Sequence, residues 1–214
     1  MIIIIITIIL VLIFILNISI YWIVSSKVND TNKKSIKAFY NIFPILWKLI
    51  LIIIPIINLS FLRFYFPENL SYFDDYWNLF ALLGIVFIII GINFSKKAKK
   101  AYNIKTSHQN SSKLITSGVF RIIRHPIYSG WVIIFFGAAI ISDSLTSLIL
   151  CPVLYIIMTI HTLLEEKLIL IPKYGKKYEN FKEKTPYRII PIPLNLLLVI
   201  ITFIIVYIGF LNLI

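Results

Sequence analysis

Two arginines and a histidine, Arg121, Arg124 and His125, stand just ahead of Pro126, and an uncharged run begins directly after that proline. Proline suits the first position of a helix, because its ring presets φ and its missing N–H would have no intrahelical partner there. Arg124 and His125 therefore fall at a helix N-terminus, where free backbone N–H groups and the dipole already favour an anion. Basic residues at such a boundary often just meet lipid headgroups, a role that explains neither Gly118, Tyr128 nor Gly130 beside them. A second group follows: His161 and Glu165 share one face at helical spacing, and Thr162 and Glu166 the next. Carboxylates at the C-terminal end of an apolar helix are costly unless solvated or paired. Tyr174, Tyr178 and Phe181 then recur at helical spacing, which predicts a short amphipathic helix on the headgroup surface. Arg188 is held between Pro186 and Pro191.

The elements that must position these groups lie in lipid. The chain of 214 residues is 59% hydrophobic with mean hydropathy +0.93, far more apolar surface than a soluble domain of this size can hide. Its net charge of +12 sits in short segments between apolar runs, the pattern of membrane topology rather than of nucleic-acid binding. Cys151, the single cysteine, lies inside an apolar run and reads as a small buried hydrophobe; no metal site is expected. The run 2–24 has no charged residue, no preceding basic region and no small-residue cleavage site, so it reads as a retained span.

Six apolar runs, 2–24, 39–64, 77–94, 127–142, 144–164 and 192–214, predict an all-α, polytopic membrane bundle of about six transmembrane helices. The second run contains Pro44 and Pro55 and should be kinked; its Lys48 is placed to snorkel toward headgroups. Of the 21 Lys and Arg residues, all but Lys48 and Arg63 fall in three alternate connecting segments, whereas Glu68, Asp74, Asp75 and Asp143 mark the opposite loops. By the positive-inside rule the basic segments face the cytoplasm and both termini lie outside. Runs four and five meet at Ser142, Asp143 and Ser144 and form a tight hairpin entered from the cytoplasm. At 1.5 Å per residue the fourth helix reaches only about 24 Å, short of the roughly 30 Å hydrocarbon core. Gly130, Gly137, Ala138 and Ala139 permit close helix contact there. The chain divides into three N-terminal spans with a basic loop (1–112), a candidate catalytic region (113–191) and a last span (192–214).

The two polar groups resemble the isoprenylcysteine carboxyl methyltransferase and phospholipid methyltransferase superfamily of integral membrane enzymes. Gly118, Phe120, Arg124, His125, Pro126, Tyr128 and Gly130 match its Gly-x-Phe/Tyr-x-x-x-Arg-His-Pro-x-Tyr-x-Gly pattern. Glu165, Glu166, Tyr174, Gly175, Tyr178, Pro186, Arg188 and Pro191 match its Glu-Glu, Tyr-Gly-x-x-Tyr and Pro-x-Arg-x-x-Pro elements. The likeness covers residues 113–191. His161 departs from it, standing where relatives often have arginine, and the sixth span is not needed by the family core.

The resemblance implies S-adenosylmethionine bound at the cytoplasmic face and a lipid-like or prenylated substrate arriving laterally from the membrane. His125 and Arg124 with the helix N-terminus would hold the methionine carboxylate. Glu165 or Glu166 would pair with the ammonium or the ribose, and Tyr128, Tyr174 or Tyr178 would line the adenine. Arg188 is the candidate for an anionic substrate headgroup. A carboxylate nucleophile needs no base, whereas an amine would need Glu165, Glu166 or His125 as one. Sterol reductases resemble the same C-terminal region, so a nicotinamide-dependent membrane reductase is the first alternative and a non-catalytic membrane protein of the same fold the second. No G-x-G-x-x-G follows a strand, which excludes the soluble dinucleotide-binding fold. The Ile, Lys and Asn bias suggests a prokaryotic cell membrane.

Overall fold

The computed structural model describes residues 2–27, 34–59, 77–107 and 114–211, and these are helical apart from the connecting turns. In chain order the helices are α1 (Ile2–Lys27), α2 (Lys34–Ile57), α3 (Trp77–Ser107), α4 (Pro126–Ile141), α5 (Leu145–Glu165), α6 (Ile171–Tyr174), α7 (Lys176–Lys184) and α8 (Ile192–Leu211). Among the described residues, three stretches are long and apolar enough to cross a membrane: Ile3–Val24, Asn78–Tyr102 and Thr146–Tyr174. Ile42–Ile57, Pro126–Ile141 and Leu194–Ile204 are apolar but shorter. Arg63, Glu68, Asp74, Asp75 and Lys113, used above to assign sidedness and the domain boundary, lie outside the described residues.

Glycines hold the centre of the bundle together. A Cβ on Gly84 would lie 2.6 Å from the carbonyl of Gly137, and one on Gly91 would lie 2.6 Å from that of Gly130. The helices α3 and α4 thus run antiparallel with their backbones in contact, as the small residues of the fourth run led us to expect. On the other side, α1 turns Thr7, Phe14 and Trp22 inward and leaves Ile5, Ile8 and Leu12 exposed. Asn58, just past α2, donates to Thr7 Oγ1 at 3.1 Å and to the carbonyl of Ile54 at 2.8 Å, pinning α1 to the end of α2.

Three elements differ from the sequence reading. The helix α3 does not stop with its apolar run: it continues to Ser107, so Lys96, Lys97, Lys99 and Lys100 ride on a helix instead of a loop. The alternation of lysine and alanine there favours helix, and no Gly or Pro interrupts it. At the other end of the chain, α5 passes into a π turn, Glu166–Leu170, before α6. Pro172 has no N–H to offer the carbonyl of Leu168, and its ring crowds that turn, which a wider turn relieves. Finally, α7 does not present its aromatic face to headgroups; Tyr178 and Phe181 are buried against the rest of the protein.

Candidate active site

Pro126 opens α4, and His125 is its N-cap residue. The approach to this point is shaped by Gly118, whose φ of +64° starts the short 3-10 turn Gly118–Arg121. A Cβ there would meet nothing within 4 Å, so it is the backbone conformation, not space, that calls for glycine. Arg124 and His125 then pair with the segment after α7: Arg124 N–H donates to the carbonyl of Tyr187 at 3.0 Å, and His125 N–H to that of Arg188 at 2.9 Å. Ser129 Oγ shares its proton between the carbonyls of His125 and Ile189. The two motif blocks, about sixty residues apart in sequence, are therefore joined through backbone.

Glu166 is the hub of the buried charge. Its Oε1 accepts from Arg124 Nε at 2.7 Å and lies 3.1 Å from His125 Nε2, while its Oε2 accepts from Arg188 Nη2 at 3.1 Å. Arg124 also donates through Nη1 to the carbonyls of Thr185 and Pro186, at 2.5 and 2.9 Å. Three of its N–H directions are thus engaged inside the protein, and its side chain is only 4% exposed. Charges buried this deeply persist only when paired and hydrogen-bonded.

Glu165 is different. Its Oε2 lies 3.4 Å from His125 Nδ1 and is a buried carboxylate oxygen with no hydrogen-bond partner of good geometry. The imidazole of His125 stands between the two carboxylates, one at each nitrogen. Burial opposes its charged form, but the hydrogen bonds and charges of Glu165 and Glu166 outweigh that, and its pKa is raised above the ordinary 6.5. With both nitrogens protonated, each can face an acceptor. Burial of the Tyr178 phenol and the nearby Glu166 charge push its pKa up, so this hydroxyl keeps its proton.

A cavity of about 250 Å³ opens beside this cluster. Of the residues singled out in the sequence, Arg124, His125, Pro126, Tyr128, Glu165, Tyr174 and Tyr178 line it; Glu166, Arg188 and Gly118 do not. Glu166 and Arg188 stand behind the lining, bonded to each other. Further lining comes from elements to which the sequence reading gave no chemistry: Asn17 and Tyr21 of α1, and Trp47 and Lys48 of α2. His161, on α5, also lines the cavity, flanked by Trp22 and Tyr128. A second, larger cavity of about 490 Å³ lies among α2, α4, α5 and α8 and is walled mainly by apolar residues such as Phe135, Leu154, Met158 and Leu198.

Residues 79–177 match the phospholipid methyltransferase family model. The chain is 30% identical over 126 residues to the probable protein-S-isoprenylcysteine O-methyltransferases of Oryza sativa subsp. indica and subsp. japonica, covering 56% of this chain and 63% of each relative. It is 32% identical over 77 residues to methanethiol S-methyltransferase of Crocosphaera subtropica (strain ATCC 51142 / BH68), covering 36% of this chain and 29% of that protein. The chain therefore spans less than two thirds of the length of the relatives it matches. No solved structure gives a significant match. Over residues 79–177 the chain is thus similar to the phospholipid methyltransferase family. The match takes in α3, the Arg124 and His125 block, α4, α5 and the Glu165 and Glu166 pair; Tyr178 and Arg188 come after it, and Trp22 and Lys48 before it.

Proposed function

We propose that the protein is an S-adenosylmethionine-dependent methyltransferase acting at the membrane–cytoplasm interface on a lipid-like or prenylated substrate. The observation that carries this reading is Glu165, which lines the cavity with the superfamily motif and whose buried Oε2 has only the long 3.4 Å ion-pair contact to His125 Nδ1. A buried acceptor of that kind suits a cationic donor such as the ammonium of S-adenosylmethionine. Asn17 Oδ1, also buried without a partner, gives the same cavity a second acceptor. Bound there, S-adenosylmethionine would supply a methyl group on a sulfonium.

The protein's own residues would bind and orient. Glu166 holds Arg124, His125 and Arg188 in place, and His125 in turn aims Glu165 at the cavity. This supports Glu165 as the ligand-facing carboxylate and Glu166 as the positioning one. Arg124 and Arg188, tied to Glu166, act through that network. Tyr128, Tyr174 and Tyr178 furnish aromatic faces for a planar base. Alignment of the reacting atoms and exclusion of water can account for several kcal/mol of such a displacement. The apolar cavity between α4, α5 and α8 is room for a hydrocarbon tail. In this reading all six apolar helices span the membrane, α4 and α5 form its hairpin, and the basic segments and the motif face the cytoplasm.

Equilibrium binding of radiolabelled S-adenosylmethionine to detergent-purified protein, with NADPH as competitor, tests the proposal. Saturable binding that NADPH leaves untouched and that Glu165→Gln weakens at least tenfold is the expected result. Folded protein that binds NADPH instead, or neither compound, would overturn it.

A further inference from the structure

Lys48 sits six residues inside the apolar stretch Ile42–Ile57, about 9 Å along the helix at 1.5 Å per residue. Its ammonium is not directed only at headgroups, for Lys48 lines the same cavity as Glu165 and His125. Nζ lies 5.4 Å from the centroid of the Trp47 ring and 5.8 Å from that of Trp131. Two indoles give a cation a favourable surface, but neither neutralises it. Among the described residues no carboxylate pairs with Lys48; its charged neighbour is Lys99 of α3, a like charge. The indole Nε1–H of Trp131, in the same aromatic cluster, is buried without an acceptor. The cavity lining thus holds a cation, Lys48, unpaired among the described residues, and an under-bonded carboxylate, Glu165, with the unsatisfied Trp131 donor in the aromatic cluster beside the cation.

A cation inside an apolar stretch is costly unless something compensates it, and such residues mark ligand paths. Resting on the methyltransferase reading for its setting, we propose that Lys48 is the anion-binding residue of this cavity and takes the carboxylate of a ligand lodged there. That carboxylate has two possible sources, the amino-acid end of S-adenosylmethionine or the head of an anionic amphiphile. Arg188, to which the sequence pointed for an anionic headgroup, and Arg124 and His125, to which it pointed for the methionine carboxylate, are already paired with Glu166.

The test compares each ligand with its carboxylate-free counterpart: S-adenosylmethionine with decarboxylated S-adenosylmethionine, and palmitate with hexadecanol. Binding to detergent-purified wild type is measured beside Lys48→Gln, Lys48→Met and Lys48→Arg. Wild type should prefer the carboxylate in at least one pair, and Lys48→Gln and Lys48→Met should cut that preference about tenfold to hundredfold, the range for a charge-assisted hydrogen bond. Lys48→Arg should keep most of it. The pair that responds names the source. No carboxylate preference in wild type, which needs no variant to fold, would overturn the proposal, as would a preference that Lys48→Gln leaves intact. The palmitate arm stands even where S-adenosylmethionine fails to bind, so this inference and the methyltransferase reading can fail separately.

Discussion

The indole Nε1–H of Trp22 donates to Nδ1 of His161 at 3.1 Å, and His161 Nε2 lies 3.2 Å from the hydroxyl of Tyr128. An indole nitrogen can only donate, so Nδ1 must present its lone pair, and neutral His161 carries its proton at Nε2. The imidazole then donates to the Tyr128 oxygen and leaves the phenolic proton directed elsewhere. A residue of α1 thereby fixes the orientation of a ring that lines the cavity.

Trp22→Phe removes that donor while keeping an aromatic ring. Destabilisation of about 1–3 kcal/mol is expected from the orphaned Nδ1 and the lost volume. With the lock gone, Nδ1 becomes free to take a proton, so nitrogen NMR of labelled histidine should show His161 titrating differently from wild type. His161→Gln assigns the signal among the three histidines. An unchanged histidine titration in Trp22→Phe would dismiss the lock.

The two adjacent glutamates should behave oppositely. Glu166→Gln leaves Arg124, His125 and Arg188 facing a neutral amide in a buried place, and a loss of about 3–5 kcal/mol is expected in unfolding from detergent. Glu165→Gln should cost far less stability and yet weaken binding of S-adenosylmethionine. Equal stability losses in the two variants would contradict the division of labour between them.

His125 predicts a pH dependence. Its folded pKa is raised above the ordinary 6.5, so its contribution to stability is fully present below about 6.5 and is lost as pH rises through the folded value. Wild type should therefore lose thermal stability from pH 6.5 upward relative to His125→Gln. Parallel curves for the two proteins would show that the imidazolium is not what joins the carboxylates.

Contact between α3 and α4 should tolerate no added methyl. A Cβ on Gly137 would lie 2.5 Å from the carbonyl of Gly84, a backbone atom that can yield only if the helices part. Gly137→Ala should destabilise by about 1–3 kcal/mol. Wild-type stability for Gly137→Ala would mean the helices pack less closely than described.

Much of this was legible in the sequence, because lipid leaves a backbone few options. Apolar runs fixed the helices, Pro126 marked the first residue of α4, and Gly130 and Gly137 announced a close helix contact. The motif placed Arg124, His125 and Glu165 near one another, but the separate tasks of Glu165 and Glu166 were not legible: neighbours in sequence, they differ only in what lies behind each. Trp22 was missed for another reason. A lipid-facing isoleucine run hides its periodicity, and the signal lay in its exceptions, Thr7, Phe14, Asn17, Tyr21 and Trp22, which recur at helical intervals. Tyr178 and Phe181 were assigned to the lipid surface because spacing gives a face but not its direction.

The π turn at Glu166–Leu170 carries one residue more than an α-helical turn would over the same length. It sets the phase between the carboxylate pair before it and Tyr174 after it. Wound as a regular α-helix, the same residues would rotate everything downstream by about 100°. The carboxylates would keep their places while the tyrosine swung off the cavity, so the site's two halves are geared to each other by one residue of surplus chain.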